Sequence, residues 1–280
     1  MALFSEFKKK STLKAALKQV SKARQAEGNQ ADLLYNSAYQ GFANIVKGDL
    51  LLGEALYHWG FALLHQGKTK PEEEGVKFYL EAISKFTFCL LVSPNHLGAA
   101  IDGGVAYMDL ARIMEVSAED ELYELAKEFF DNADRIQKGS ASYNLACIAS
   151  VQGKPEDCLQ ALESSKQHGS LPNIEDVRKD VDLAHIKNTA WFNEFLERVL
   201  TEPEATVDNE DEKKFDVEGN VIKENKKVKQ FENEVDGVVY DAEGNILRKV
   251  GIEPADTEET AVDKPEENVN SEKNTEMKES

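Results

Sequence analysis

An all-α body built from stacked helical hairpins, followed by an acidic tail of different character, is what this sequence predicts. Three observations predict it. Between residues 12 and 200, apolar residues recur at three- and four-residue spacing, as in Leu13, Leu17 and Val20, or Leu34, Ala38, Phe42 and Ile45. Turn-forming punctuation then divides the pattern at Gly28-Asn29, Gly48-Asp49, Gly67-Lys68, Ser93-Pro94-Asn95, Gly139-Ser140, Gly153-Lys154-Pro155 and Gly169 to Pro172. Finally, one order of small and large residues returns along the chain, and no strand-like alternation occurs before residue 201.

The repeated order runs as follows. Trp59-Gly60, Leu63 and Gly67 precede Ala82, Phe86 and Cys89, and then Pro94. Gly103-Gly104 and Tyr107 precede Ala126, Phe130 and Ala133, and Leu145-Ala146 and Gly153 precede Cys158, Leu162 and Ser165. A half-unit, Ala38, Phe42 and Ile45, stands before them all. Small residues at Gly60, Gly104 and Ala146 let two antiparallel helices approach closely, and Phe86, Phe130 and Leu162 fill the space between units. Ser117-Ala-Glu-Asp120 reads as a helix start, with acids near the positive end of the helix dipole.

This order resembles the tetratricopeptide repeat, over residues 31–172. The resemblance implies a right-handed α-solenoid whose first helices line a concave face. Two repeats depart from the family spacing: Gly60 to Gly104 spans 44 residues and Gly104 to Ala146 spans 42, about ten more than the family's roughly 34. Either longer helices or longer connections must absorb the excess. Asp180-Val-Asp182-Leu183, Ile186, Trp191-Phe192 and Phe195-Leu196 are similar to the segment that closes some of these arrays. The expected division is a basic N-terminal helix over 1–30, repeats over 31–172, a closing segment over 173–200 and an acidic tail over 201–280.

Charge sharpens that division. The net charge is −19, and the tail carries 24 Asp/Glu against 11 Lys/Arg, whereas residues 1–28 hold seven Lys/Arg and two acids. Such a balance argues against nucleic acid as a partner. From Thr257 onward large apolar residues are nearly absent, which predicts disorder. Two pieces, near 215–223 and 238–250, each place Gly-Asn between β-favouring residues and read as short hairpins. No apolar run is long enough to cross a bilayer, the start lacks a secretory core, and three cysteines give no disulfide framework. A cytoplasmic location follows as the expectation, with a membrane an unlikely partner except through the basic first helix.

Catalytic motifs are missing from the sequence. It has no Gly-x-Ser-x-Gly elbow, phosphate loop or His-Glu-x-x-His. Cys147 and Cys158 fall at small-residue places of one repeat, so packing is the reading for both, as for Cys89. His58 and His65 lie seven residues apart on one helix, as Asp102 and Asp109 do on the equivalent helix. Seven residues at about 1.5 Å each separate the histidines by about 10 Å, too far for one ion. The expectations are therefore no enzyme, no metal and no cofactor.

What remains is a binding face. By the resemblance, its lining is Tyr57, His58, Phe61, Ile101, Asp102, Val105, Tyr143 and Asn144, an aromatic and apolar surface with a few polar tips suited to a peptide or helix. The expected function is a non-catalytic protein-interaction scaffold, adaptor or assembly factor with protein or peptide partners. Two rivals stand beside it: a regulator inhibited by its own tail, and a metal-dependent enzyme using the groove His and Asp. Co-chaperone members of the family clamp a carboxylate with Lys and Asn, but only Asn144 fits that pattern here, and Asp102 would repel a carboxylate.

Overall fold

The computed structural model describes residues 2–48 and 50–201, with side chains from residue 6 onward, and the backbone of residues 233–235, 238–240 and 246–249. The body is all-α. Four helical hairpins follow one another: α1 (Ala2–Ala23) with α2 (Gly28–Ile45), α3 (Leu52–Gly67) with α4 (Glu72–Val92), α5 (Leu97–Ile113) with α6 (Glu121–Ile136), and α7 (Ser142–Val151) with α8 (Pro155–Gln167). Each hairpin packs on the next, and α9 (Ile174–Lys179) and α10 (Ala190–Thr201) close the stack.

Sequence chemistry fixes the ends of these helices. Asp120 caps α6 by accepting from the Leu122 backbone N–H at 2.9 Å, and Glu121 and Glu124 follow in the first turn. Pro155 opens α8 and Pro71 precedes α4, places where a missing N–H costs nothing. After α7 the Lys154 N–H reaches the Ala149 carbonyl at 2.8 Å and the Gly153 N–H reaches Ser150 at 3.0 Å, with Gly153 at φ +65°. That is a Schellman turn, which needs the left-handed conformation glycine tolerates. The turn after α5 makes the same pair of bonds, Val116 to Ala111 and Glu115 to Arg112, but its left-handed residue is Glu115, at φ +50°. Glu115→Gly should therefore raise stability by about 0.5–1 kcal/mol, and a denaturation midpoint that falls would refute this.

The small-against-large pairing of the sequence is realised in the packing. A Cβ on Gly60 would stand 2.8 Å from the Phe86 ring, and one on Gly104 would overlap the Phe130 ring. Phe86, Phe130 and Leu162 are fully buried, as are Ala82, Ala126 and Cys158 one turn before them. The core is continuous along the stack, one part running from α1 to α5 and the next from α4 to α10, with Leu90, Val105 and Tyr107 touching both. The extra residues of two repeats lie mainly in helices. α3 and α4 have 16 and 21 residues and α5 and α6 have 17 and 16, whereas α7 and α8 have 10 and 13.

In the tail, β1 (Asn233–Val235), β2 (Val238–Tyr240) and β3 (Ile246–Lys249) form an antiparallel sheet in the order β1-β2-β3. Tyr240 pairs with Ile246 across the Gly-Asn segment, in agreement with the hairpin expected near 238–250. Its β1 partner strand was not foreseen. The hairpin expected near 215–223 lies outside the described residues.

Candidate functional site

The face opposite the hairpin contacts is found from the glycines. On α5, Gly103 and Gly104 look toward Phe129 and Phe130 of α6. Ile101, Val105, Asp109 and Arg112, at steps of four, four and three, therefore share the other side of that helix. On α3 the same register holds Tyr57, Phe61 and His65, whose rings touch in sequence: Tyr57 to Phe61 at 6.2 Å and Phe61 to His65 at 4.3 Å between centroids. On α7 it holds Tyr143 and Cys147.

Contacts across helices tie these stripes into one surface. The Arg24 guanidinium lies 5.6 Å from the centre of the Phe61 ring. Lys68 pairs with Asp109 at 3.2 Å, and Asp109 also accepts from Arg112 at 2.5 Å. Arg112 then donates to both oxygens of Asp182, at 3.0 and 2.8 Å. The Tyr143 hydroxyl donates to Asp180 at 2.7 Å, with the Cys147 thiol 3.7 Å from the same oxygen. Residues 180–182 thus run across the α5 and α7 end of the face, anchored by the buried Val177 and Leu183 on either side. Burial pushes the Asp182 carboxyl above its usual range, and Arg112 pulls it back.

The eight expected lining residues divide into two groups. Tyr57, His58 and Phe61 are buried, whereas Ile101, Asp102, Val105, Tyr143 and Asn144 are half-buried. Tyr57 is held by the next repeat: its ring lies 4.5 Å from that of His96, and a Cβ on Gly98 would meet it at 2.9 Å. These aromatics form the wall between α3 and α5, and the half-buried residues are the part that solvent reaches. Asp180, Asp182 and Arg112 were not expected to lie on this face. Arg112 and Asp182 pair over a sequence separation of 70 residues, and the only local hint was the Asp-Val-Asp spacing itself.

The histidines are not poised for acid–base work. Burial holds His58 and His65 down at about 3, aided by His96 for the first and by Arg24 and Lys68 for the second. Glu54 is the nearest carboxylate to His58, at 3.9 Å, beyond hydrogen-bond reach. Asp109, the sequence-equivalent partner for His65, is engaged by Lys68 and Arg112. The one cluster of three candidate metal ligands among the described residues is Cys147, Asp180 and Asp182, and it includes neither histidine. The cysteines are free and buried, and burial pushes the Cys89 and Cys158 thiols up to about 12. Such thiols are packing groups, not nucleophiles.

The fold is that of a helical-repeat protein. Residues 31–168, just under half the chain, match the sequence model of a family described as plant specific mitochondrial import receptor subunit TOM20. No curated protein and no solved structure matches the chain. The match is to a receptor subunit, a protein-interaction role rather than an enzymatic one, and gives no support to tail inhibition or metal catalysis. It overturns the cytoplasmic location expected from the sequence, since the matched family is mitochondrial by description. The expectation that a membrane is an unlikely partner is likewise not borne out. The physical reason is that the packing of a folded body carries no record of its address; no described helix is long and apolar enough to cross a membrane, and that bears only on the described helices.

Proposed function

We propose that this chain is a non-catalytic receptor module that holds a peptide or single helix of a partner protein along the concave first-helix face, in the setting of mitochondrial import. One observation carries the reading: Ile101, Val105, Asp109 and Arg112 share a face with the Tyr57-Phe61-His65 stripe, on the side away from the hairpin contacts. The match to an import receptor subunit supports it. Asp102 and Asn144 supply polar tips beside Ile101, Val105 and Tyr143, and Tyr57, His58 and Phe61 form the wall behind them. The Asp180–Asp182 crossing closes the α7 end, so a ligand lies mainly over α3 and α5.

A fluorescent mitochondrial targeting peptide, followed by anisotropy with the full chain, tests this. Saturable binding on the order of micromolar is expected, weakened about tenfold by Val105→Ser and by Asp102→Asn. Binding that both variants leave unchanged, with circular dichroism showing both folded, would remove the concave face from the reading.

A further inference from the structure

Five of the exposed large apolar side chains sit at one end of the molecule. Phe7 is 72% exposed, Leu91 70% and Leu50 40%, and Phe88 and Val92 are exposed beside Leu91. They belong to the start of α1, the α2–α3 connection and the end of α4. Because consecutive helices alternate in direction, these segments share an edge of the stack, and contacts bear this out. The Lys9 ammonium donates to the Ile45 carbonyl at 3.4 Å, joining α1 to the end of α2. A Cβ on Gly53 would meet Ser93 and approach Val92 to 3.9 Å, and the Cys89 thiol donates to the Gly53 carbonyl at 3.3 Å, joining the start of α3 to the end of α4. Between them, Leu50-Leu51-Leu52 crosses the edge with Leu51 at φ +61°, a backbone state that a branched-chain residue adopts only at a cost.

Cations surround this apolar edge in a chain whose net charge is −19. Lys8, Lys9, Lys10 and Lys47 stand near Phe7 and Leu50, with Glu54 at the start of α3 and Glu6 paired to Lys10 at 3.2 Å, while beside Leu90 the hollow against α6 holds Glu128, Asp131 and Arg135. The opposite edge carries the acids Glu72, Glu73, Glu74, Glu115, Glu119 and Glu121. Lys68, Lys70 and Arg112 lie at that edge too, each ion-paired to a carboxylate. Exposed leucine and phenylalanine ringed by flexible lysines is the chemistry of the bilayer interface, where apolar groups enter the acyl boundary and ammonium groups meet anionic headgroups.

From this edge we infer that the protein docks on an anionic lipid surface, through Phe7, Leu50 and Leu91 with Lys8, Lys10 and Lys47, and with its acidic edge turned away. The concave face stays open to the side, so the site is separate from the peptide-binding face proposed above and stands or falls independently of it.

Vesicle co-sedimentation of the full chain decides the matter. The protein should bind phosphatidylcholine vesicles containing about one third phosphatidylglycerol at low salt, ignore pure phosphatidylcholine, and be released as salt rises. Each lysine near the surface is worth about fivefold in partitioning, so Lys8→Glu, Lys10→Glu and Lys47→Glu together should weaken binding by about a hundredfold or more. Leu50→Ser with Leu91→Ser should weaken it by about tenfold even at low salt. Absence of binding to anionic vesicles overturns the inference, as does binding that both folded variants retain. A dimer in light scattering that the leucine variant abolishes, without vesicle binding, would assign the edge to a second copy of the chain instead.

Discussion

Gly104→Ala should destabilise the protein by about 2 kcal/mol although alanine is the better helix former, and Phe130→Leu should repair most of that loss. The added Cβ overlaps a phenylalanine ring that is fully buried, so the ring cannot swing into solvent. Overpacking of this kind costs about 1–3 kcal/mol, against about 1 kcal/mol gained from helix propensity. Phe130→Leu alone removes ring volume and should cost about 1–2 kcal/mol. Combined, the two changes recreate the pairing that the α7/α8 repeat already uses, where Ala146 lies in the place of Gly104 and Leu162 in that of Phe130. Both of those residues are completely buried. The double variant should therefore be more stable than the sum of the single changes by at least about 1 kcal/mol. Chemical denaturation of the four proteins measures this coupling, and strict additivity would mean that the two positions do not form one packing unit.

That coupling also explains why so much of the fold was legible beforehand. Close approach of two helices demands a small residue at the crossing and a large one beside it, and both residues are local, so Gly60 with Phe86 and Gly104 with Phe130 announce themselves at regular spacing. The tail hairpin was readable for a similar reason, its turn being written in consecutive residues. The face was harder. An aromatic at the register of Tyr57 satisfies the same periodicity whether it meets a ligand or a neighbouring helix. Only Gly98 and His96, some forty residues further on, decide that it meets the helix. The crossing of Asp180 and Asp182 over α5 and α7 has no period at all, because Arg112 finds Asp182 through the superhelix rather than along the chain. Location was least legible, since it depends on recognition by other molecules rather than on the packing of this one.

Acid should unfold this protein well before its carboxylates are neutralised. His58 and His65 are held neutral in the folded state, each at about 3, against about 6.5 in an unfolded chain. The unfolded state therefore binds protons first. The stability these histidines contribute is present above pH 6.5 and is lost as pH falls below it, down toward 3, at about 1.4 kcal/mol per pH unit for each residue. Two histidines over two pH units amount to about 5 kcal/mol at most, comparable with the whole stability of many domains. The groups around them do not cancel this: Glu54 is 3.9 Å from His58 and partly solvated, His96 is itself pushed down by burial, and Arg24 and Lys68 oppose a second cation at His65. The Asp32 carboxyl, held low by Lys70, adds to the loss only at lower pH, while Asp182, raised by burial, works weakly the other way. Denaturation midpoints should consequently fall steeply from pH 6.5 to 4.5. His58→Phe with His65→Phe, which keeps the Tyr57-Phe61 stack aromatic, should flatten that slope even if it shifts stability at pH 8. A wild-type midpoint constant from pH 7 to 5 would show that the two rings are solvated or paired in the folded state, and an unchanged slope in the folded double variant would move the acid sensitivity to other groups.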